Sequence, residues 1–144
     1  MRENSIQFFN ENPFVNAASL SHVDLADNLI RSWKKPLLSS SPNMKILNLA
    51  DNHISTVTAA MLKDVATLWE VNLLGNPFDC DCQLISLRFD VVVNGKGNIK
   101  VDYCSSPDKW RFKAVRKFLM DPNEHCQKVL IQQFFYQPVS VSIS

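Results

Sequence analysis

The sequence predicts an α/β solenoid of about three to four repeats, in which short parallel strands stack and a cysteine-containing segment follows. An asparagine returns at a fixed interval of 24 residues, at Asn4, Asn28, Asn52 and Asn76. Aliphatic residues precede the last three in the same order, as in "LNLADNHI", and four cysteines follow the last unit. A fixed period of this length is typical of stacked repeats, since one unit cannot bury its own apolar face.

The repeated unit has the pattern L-x-x-L-x-L-x-x-N-x-L. Successive units fill it with Leu20, Val23, Leu25, Asn28 and Ile30, then Met44, Leu47, Leu49, Asn52 and Ile54, then Leu68, Val71, Leu73, Asn76 and Phe78. The L-x-L positions predict a short strand, because alternate side chains of a strand point to opposite faces. The asparagine amide both donates and accepts hydrogen bonds, so it can satisfy backbone groups where the chain turns. Stacked asparagines therefore predict a ladder through the core.

The segments between the strands differ in type. Residues 31–43 contain two prolines and a run of serines, which predicts a loop with short turns. Residues 55–68 predict a short helix capped by Thr56 or Thr58. The hydrophobic end of the first unit is expected to be uncovered or improvised; it comprises Ile6, Phe8, Phe9 and Phe14.

These residues resemble the leucine-rich repeat family over residues 4–79. The segment "NPFDCDC" and the later "CSSP" are similar to the cysteine-rich C-terminal cap of extracellular members, Toll-like receptors among them. The spacing allows three disulfide connectivities, of which adjacent C-x-C pairing is geometrically poor. The resemblance implies the pairs Cys80–Cys104 and Cys82–Cys126. Disulfides imply an oxidising compartment, so an extracellular or cell-surface location is expected.

The cap is expected to cover the open strand edge and apolar face at the end of the solenoid. A short helix is expected in the first half of residues 83–93, followed by a strand near Val91–Val93. The residues expected to pack on the last repeat are Leu84, Leu87 and Phe89. A second helix is expected in "KAVRKFLM", with Val115, Phe118 and Leu119 facing inward.

The chain is thus divided into repeats (1–79), a cysteine-rich cap (80–126) and a tail (127–144) expected to be poorly ordered or extended. The opening residues lack the uninterrupted apolar core of a secretory signal. The apolar stretch of the tail, 129–136, is too short to span a bilayer. We expect the chain to be the last repeats and cap of a larger Toll-like or related receptor, or a truncated relative.

Composition excludes several classes of function. Hydrophobic residues make up 46% of the chain, charged residues 20%, and the net charge is +1. This balance gives no global field for nucleic acid or an anionic membrane. Three glycines, without G-x-G-x-x-G or a P-loop pattern, argue against a phosphate-binding loop. No cofactor, no nucleic-acid partner and no membrane span within the chain are expected.

Catalysis and metal binding are the alternative functions. His22 and Asp24 fall on one strand face and could pair a general base with an orienting carboxylate. No G-x-S-x-G accompanies them, and we interpret them as solvated strand residues of a protein that is not an enzyme. The C-x-C pair with His125 and Cys126 could form a zinc site of an intracellular interaction module, although zinc sites prefer C-x₂₋₄-C knuckles.

The predicted binding surface is the concave strand face, which the family uses for protein ligands. The side chains expected there are His22, Asp24, Ala26 and Asp27, then Ile46, Asn48, Ala50 and Asp51, then Glu70, Asn72 and Leu74. This set is mildly acidic and contains no basic partner for its acids. Three full strands make a small face, and a solvated face without a ligand is the alternative.

A second candidate surface lies in the cap and consists of Lys109, Trp110, Arg111, Phe112, Lys113, Arg116 and Lys117. Basic residues interleaved with aromatics can bind nucleic acid or sulphated sugars. We interpret Trp110 and Phe112 instead as core anchors and the cations as solubilising residues. The resemblance implies a protein ligand or partner receptor subunit, permits a dimer through the cap, and suggests innate immune recognition or signalling.

Overall fold

The computed structural model describes residues 14, 19–87 and 99–121, and the side chains of 86 and 87 are outside that description. The strands are β1 (His22–Asp24), β2 (Ile46–Asn48), β3 (Glu70–Asn72), β4 (Phe78–Asp79), β5 (Ile99–Lys100) and β6 (Cys104–Ser106). The helices are α1 (Ala59–Thr67), a 3₁₀ helix (Leu84–Leu87) and α2 (Val115–Met120). None of the helices in the described residues is long and apolar enough to cross a bilayer.

The main sheet is parallel and has the order β1-β2-β3-β5. Its register places equivalent positions of successive repeats side by side, so that His22 lies opposite Ile46 and Ile46 opposite Glu70. This arrangement confirms the predicted solenoid. The expectation of only three full strands was wrong, because β5 of the cap pairs with β3 and adds a fourth.

The three ladder asparagines are buried in one hydrogen-bonded column. Asn52 Nδ2 donates to Leu25 O at 3.0 Å and to Leu49 O at 3.1 Å, which joins two successive repeats. Its Oδ1 accepts the Ile30 N–H at 3.0 Å. Asn76 repeats this pattern one coil later, with Leu49 O, Leu73 O and Ile54 N–H as its partners. Each amide therefore satisfies backbone groups of its own turn and of the preceding turn.

The cap supplies the acceptors that the last repeat would otherwise lack. The strand-end N–H groups of Leu25 and Leu49 donate to carbonyls of the following repeat, and that of Leu73 donates to Lys100 O. Two residues further on, the backbone N–H groups of Asp27 and Asp51 donate to the carbonyls of Ala50 and Leu74. At the equivalent position, the Gly75 N–H donates to the Asp102 carboxylate at 2.9 Å. Residues 99–102 thus reproduce the hydrogen-bonding edge of another repeat.

The core runs continuously from the first unit into the cap. Phe14, the one described residue of the first unit, is buried in it, and its carbonyl accepts a hydrogen bond from the Ser41 hydroxyl. The first unit is therefore covered at Phe14, whereas Ile6, Phe8 and Phe9 lie outside the described residues. At the other end, Phe78 and Leu84 are fully buried.

The convex side carries a loop and one helix, as predicted. Residues 31–43 form neither a helix nor a strand, and α1 begins after the cap residue Thr58, whose hydroxyl accepts the Met61 N–H. The carboxylate of Asp64 is buried on this side and accepts the Trp33 ring N–H at 2.7 Å. It also accepts the Leu37 and Leu38 N–H groups, so α1 of one repeat holds the loop of the preceding one.

The disulfide Cys80–Cys104 joins the end of the last repeat to β6, and this is the pairing that the resemblance implies for these two cysteines. Cys82 is also disulfide-bonded, while Cys126 lies outside the described residues. The cysteines in the described ranges therefore offer no thiolate to a zinc ion. Alongside the disulfide, β4 and β6 pair in parallel.

The cap helices match their predicted positions. The first half of residues 83–93 contains the 3₁₀ helix, and α2 buries Val115, Phe118 and Leu119. The Trp110 ring packs edge-on against Phe118 with 5.1 Å between centroids. Phe89, the predicted strand at 91–93 and the tail at 127–144 lie outside the described residues, as does the side chain of Leu87.

Replacing a ladder asparagine should destabilise the solenoid strongly. Asn52→Ala leaves several buried backbone groups unsatisfied, so we expect the free energy of unfolding to fall by about 3 kcal/mol. Denaturant unfolding of the disulfide-intact protein measures the change. The exposed neighbour His53 provides a control, because His53→Ala should change stability by less than about 0.5 kcal/mol. Equal effects of the two substitutions would contradict the role of the ladder.

Removing the observed disulfide should cost a comparable amount. The bond closes a chain separation of 24 residues, and for such a loop the chain-entropy model gives about 3 kcal/mol. The double variant Cys80→Ser, Cys104→Ser is compared with Ser105→Ala, an exposed neighbour that should leave stability unchanged. Unfolding midpoints that coincide for the double variant and the parent protein would refute this contribution.

Candidate functional site

The concave sheet face consists of two rows of side chains that run across the strands. One row contains His22, Ile46 and Glu70, and the other contains Asp24, Asn48, Asn72 and Lys100. Both rows are held on backbone hydrogen bonds between strands, so their spacing is fixed. A rigid face reduces the conformational entropy lost when a partner binds.

Three polar side chains of the second row accept hydrogen bonds from backbone N–H groups two residues further along the chain. Asp24 Oδ1 accepts the Ala26 N–H at 3.0 Å, and Asn48 and Asn72 do the same for the residues two positions further on. These three side chains occur at the same position of successive repeats and stabilise the exit from each strand. They share one row of the sheet, and a ligand bound there would have to share them with the turn.

The first row is less committed to structure. Ile46 and Glu70 are half-buried, and His22 is exposed with its Nδ1 at 2.8 Å from the Ser21 hydroxyl. Across the described residues, no group of three or more His, Cys, Asp and Glu side chains could hold a metal ion.

One acid of the face has a basic partner from outside the predicted set of residues. The Lys100 ammonium lies 3.0 Å from the Glu70 carboxylate, and both side chains are partly exposed. The sequence did not predict this contact, because Lys100 belongs to the strand that the cap contributes. An exposed pair of this kind contributes about 0–1 kcal/mol to stability, so its main effect is on the charge pattern of the face.

Three other predicted concave residues lie at the turn. Asp27 and Asp51 have φ angles of 58° and 54°, which place their backbone in the left-handed region just before the ladder asparagines. Aspartate tolerates this region better than most residues. Ala26 is fully buried, so its assignment to the exposed face was wrong. Gly75 occupies the position of Asp27 and Asp51 in the third repeat, directly before Asn76. A Cβ added to Gly75 would lie 2.1 Å from Asp51 Oδ1.

Trp69 is a surface residue that the sequence reasoning missed. It directly precedes β3, its ring is 60% exposed, and the Lys45 ammonium lies 4.3 Å from the ring centroid. Lys45 precedes β2 in the same way, so the two residues occupy equivalent positions 24 residues apart. The 24-residue spacing of the repeats could have predicted this pair, which lies at the N-terminal ends of β2 and β3.

The cap carries the second exposed surface. Trp110 is buried as predicted, but the prediction that Phe112 is a core anchor was wrong, because 76% of this residue is exposed. Phe112 lines a cleft of about 380 Å³ at the C-terminal end of β3, together with Tyr103, Arg111 and Gly75. The backbone of Phe112 is in the left-handed region, at a φ of 65°.

Comparison with known sequences gives one family and several relatives. The family model described as leucine-rich repeat matches residues 18–78. The chain is 28% identical over 116 residues to mouse (Mus musculus) nephrocan, covering 76% of this chain and 22% of nephrocan. It is 31% identical over 74 residues to human (Homo sapiens) leucine-rich repeat-containing protein 70, covering 51% of this chain and 12% of the relative. Mouse CD180 antigen is 33% identical over 75 residues, covering 52% and 11%.

Solved structures share the fold at low sequence identity. Human 5T4, also called trophoblast glycoprotein, has a TM-score of 0.66 at 22% identity, covering 85% of this chain and 44% of that one. A chain from the octameric complex of latrophilin 3, Unc5D and FLRT2, in which FLRT2 is represented by its leucine-rich repeats, has a TM-score of 0.60 at 21% identity. It covers 71% of this chain and 32% of the matched one. The chain thus spans less than half the length of each protein it resembles.

The family model begins and ends close to the limits of the asparagine ladder, and the solved neighbours share the stacked-strand fold that the ladder builds. The repeat period, the backbone and the comparisons therefore agree on a leucine-rich repeat solenoid closed by a disulfide-linked cap, and residues 18–78 of the chain match the leucine-rich repeat family model.

Proposed function

We propose that this chain is an extracellular, non-catalytic module that binds protein through its concave face and through Trp69 at the N-terminal end of β3. The observation that carries this proposal is the rigid face of four hydrogen-bonded strands, which presents the row of His22, Ile46 and Glu70 beside an exposed tryptophan. Tryptophan is among the residues most enriched at binding hot spots. An oxidising compartment is supported by the disulfide Cys80–Cys104.

The charge pattern supports a partner with mixed polar and apolar groups. His22, Ile46 and Glu70 form a row that includes one apolar side chain, and Lys100 reaches Glu70 from the neighbouring strand. Such a face has no single strong sign of charge, which favours a folded protein over a polyanion. Relatives point the same way, since FLRT2 occurs in a complex with latrophilin 3 and Unc5D.

Within this class, we propose kinship with Toll-like and related receptor ectodomains and a role in innate immune recognition or signalling. Support comes from the C-x-C cap that follows the last repeat directly and from the similarity to CD180 antigen. A partner receptor subunit is the corresponding alternative to a separate protein ligand.

The compartment can be tested by mass spectrometry of material secreted from cells. We expect a peptide pair linked through Cys80 and Cys104 under non-reducing conditions. Four free thiols in secreted protein would refute the proposed extracellular role, because a disulfide that persists in an oxidising compartment should survive secretion.

The binding face can be tested with an array of purified extracellular domains of cell-surface and secreted proteins. For a domain that binds, Trp69→Ala should weaken affinity about 30-fold, the equivalent of the roughly 2 kcal/mol typical of a hot spot. Lys63→Ala is the control, since Lys63 is exposed on α1 and away from the sheet face. Both variants should keep the parent unfolding midpoint. A partner that loses affinity with the Lys63 variant and not with the Trp69 variant would contradict the proposed face.

A further inference from the structure

Phe112 is held in an unusual way for an exposed residue. It is the most exposed of the large hydrophobic residues in the described part of the chain, and its φ of 65° lies in a region that bulky side chains rarely adopt. Strain of this kind persists only where the surrounding structure enforces it, and it clusters at functional sites. Both exposure and backbone strain act against stability here, so the position calls for another cause.

The frame around Phe112 is rigid. The Phe112 N–H donates to Cys104 O at 2.9 Å, and the Cys104 N–H donates to Lys113 O at 2.8 Å. Tyr103 and Ala114 form an antiparallel bridge, and Cys104 is fixed by its disulfide to Cys80. The ring is therefore presented outward by a cross-linked pair of chain segments.

The presented ring forms one wall of the cleft beside β3. Tyr103 is 60% exposed in the same cleft, and the Arg111 guanidinium lies 5.0 Å from the Phe112 ring centroid. Aromatic residues and arginine are enriched where protein interfaces are most deeply buried. The volume of about 380 Å³ is enough for a few side chains and too small for a folded domain.

The cleft lining contains one cation, Arg111, and one carboxylate, Asp102, which accepts the Gly75 N–H, and the chain segment that carries Phe112 is rich in further cations. Five cations occur within nine residues, Lys109, Arg111, Lys113, Arg116 and Lys117. Each is exposed, and none forms an ion pair with another described residue. A segment that enters the cleft therefore gains from carboxylates on either side of the group that covers the ring.

We propose that this cleft binds a segment of a partner protein in which an aliphatic or aromatic side chain lies beside acidic residues. A sulphated polysaccharide would satisfy the cations but has no apolar side chain to cover Phe112. A second copy docked by two-fold symmetry would bring the same five cations against each other. The inference rests on the proposed function only in that the chain binds protein, and it uses a different surface from the sheet face.

The test uses a phage-displayed library of random twelve-residue peptides, selected on the disulfide-intact protein. We expect enriched peptides to combine Asp or Glu with Phe, Leu or another large apolar residue. One enriched peptide is then synthesised and its affinity measured by fluorescence polarisation. Phe112→Gly should weaken it at least tenfold, and Arg111→Gln should weaken it and reduce its dependence on salt.

Thermal unfolding separates binding from packing at Phe112. Glycine adopts positive φ without strain, so Phe112→Gly should keep or raise the melting temperature while it removes the apolar wall. Met120→Ala is the matched control, because Met120 is exposed on the same cap and outside the cleft. It should change neither affinity nor melting temperature.

Several outcomes would overturn the proposal. These are a library without enriched sequences, peptides whose affinity is indifferent to Phe112→Gly, or a lowered melting temperature of that variant. Binding of heparin without binding of any peptide would show only a polyanion patch. A dimer in light scattering that Phe112→Gly abolishes would assign the cleft to a second copy. A loss of affinity with Trp69→Ala alone, with the peptides unaffected by Phe112→Gly, would refute this cleft and leave the proposed function intact.

Discussion

The constraint behind this structure is that the backbone polar groups buried at each turn must find partners. The asparagine amide meets it across two coils at once: Asn52 donates to Leu25 O and Leu49 O and accepts from Ile30 N–H. A side chain that must reach the preceding coil needs that coil in register. The fixed spacing between each strand and its asparagine follows from this requirement, because an insertion between them would carry the asparagine away from the partners that the previous unit offers. The ladder therefore makes every repeat incomplete without its neighbour.

The same constraint accounts for the form of the cap. A last repeat has strand N–H groups that point at no further coil, and here Lys100 O and the Asp102 carboxylate accept them. A carboxylate can take the place of a carbonyl at the turn, where the chain no longer follows the repeat. The cap is thus first a continuation of the sheet and only then a cover for the core. Its disulfide fixes Cys104 close to the last repeat, which keeps residues 99–102 aligned with that repeat.

The extent to which sequence predicts this structure depends on how local each signal is. Strands β1 to β3, the ladder and both α-helices follow from spacings of a few residues, which is why their positions could be predicted. β5 could not be, because its register is determined by pairing with β3 and its residues carry no trace of the repeat. Nor could the roles of Asp24, Asn48 and Asn72, since a polar residue on an exposed strand looks the same whether it awaits a ligand or binds its own backbone.

Phe112 shows a further limit of the same reasoning. An aromatic residue among cations is more often buried than exposed, and Trp110 two positions earlier follows that tendency. What separates the two is the backbone: the left-handed φ at Phe112 turns its side chain away from the core. At Phe112 this conformation is accompanied by the hydrogen bond from its N–H to Cys104 O, eight residues earlier, so the residues next to Phe112 do not predict it.

The two candidate surfaces lie at opposite ends of one strand, and this relation bears on how they could act. Trp69 precedes β3, whereas Gly75 follows β3 and borders the cleft of Phe112. The six-residue step between them spans at most about 20 Å of extended chain. An interface of standard size buries about 800 Å² on each partner, a patch wider than this distance. A single partner is therefore large enough to cover Trp69 and the cleft together.

With a single partner, the effects of substitutions at Trp69 and Phe112 would appear in the same binding constant. They would be close to additive because the two sites share no contacts. With two separate partners, the Trp69 substitution would not change the affinity of the partner that binds the cleft, and the Phe112 substitution would not change the affinity of the partner that binds at Trp69. The double variant therefore distinguishes one continuous interface from two.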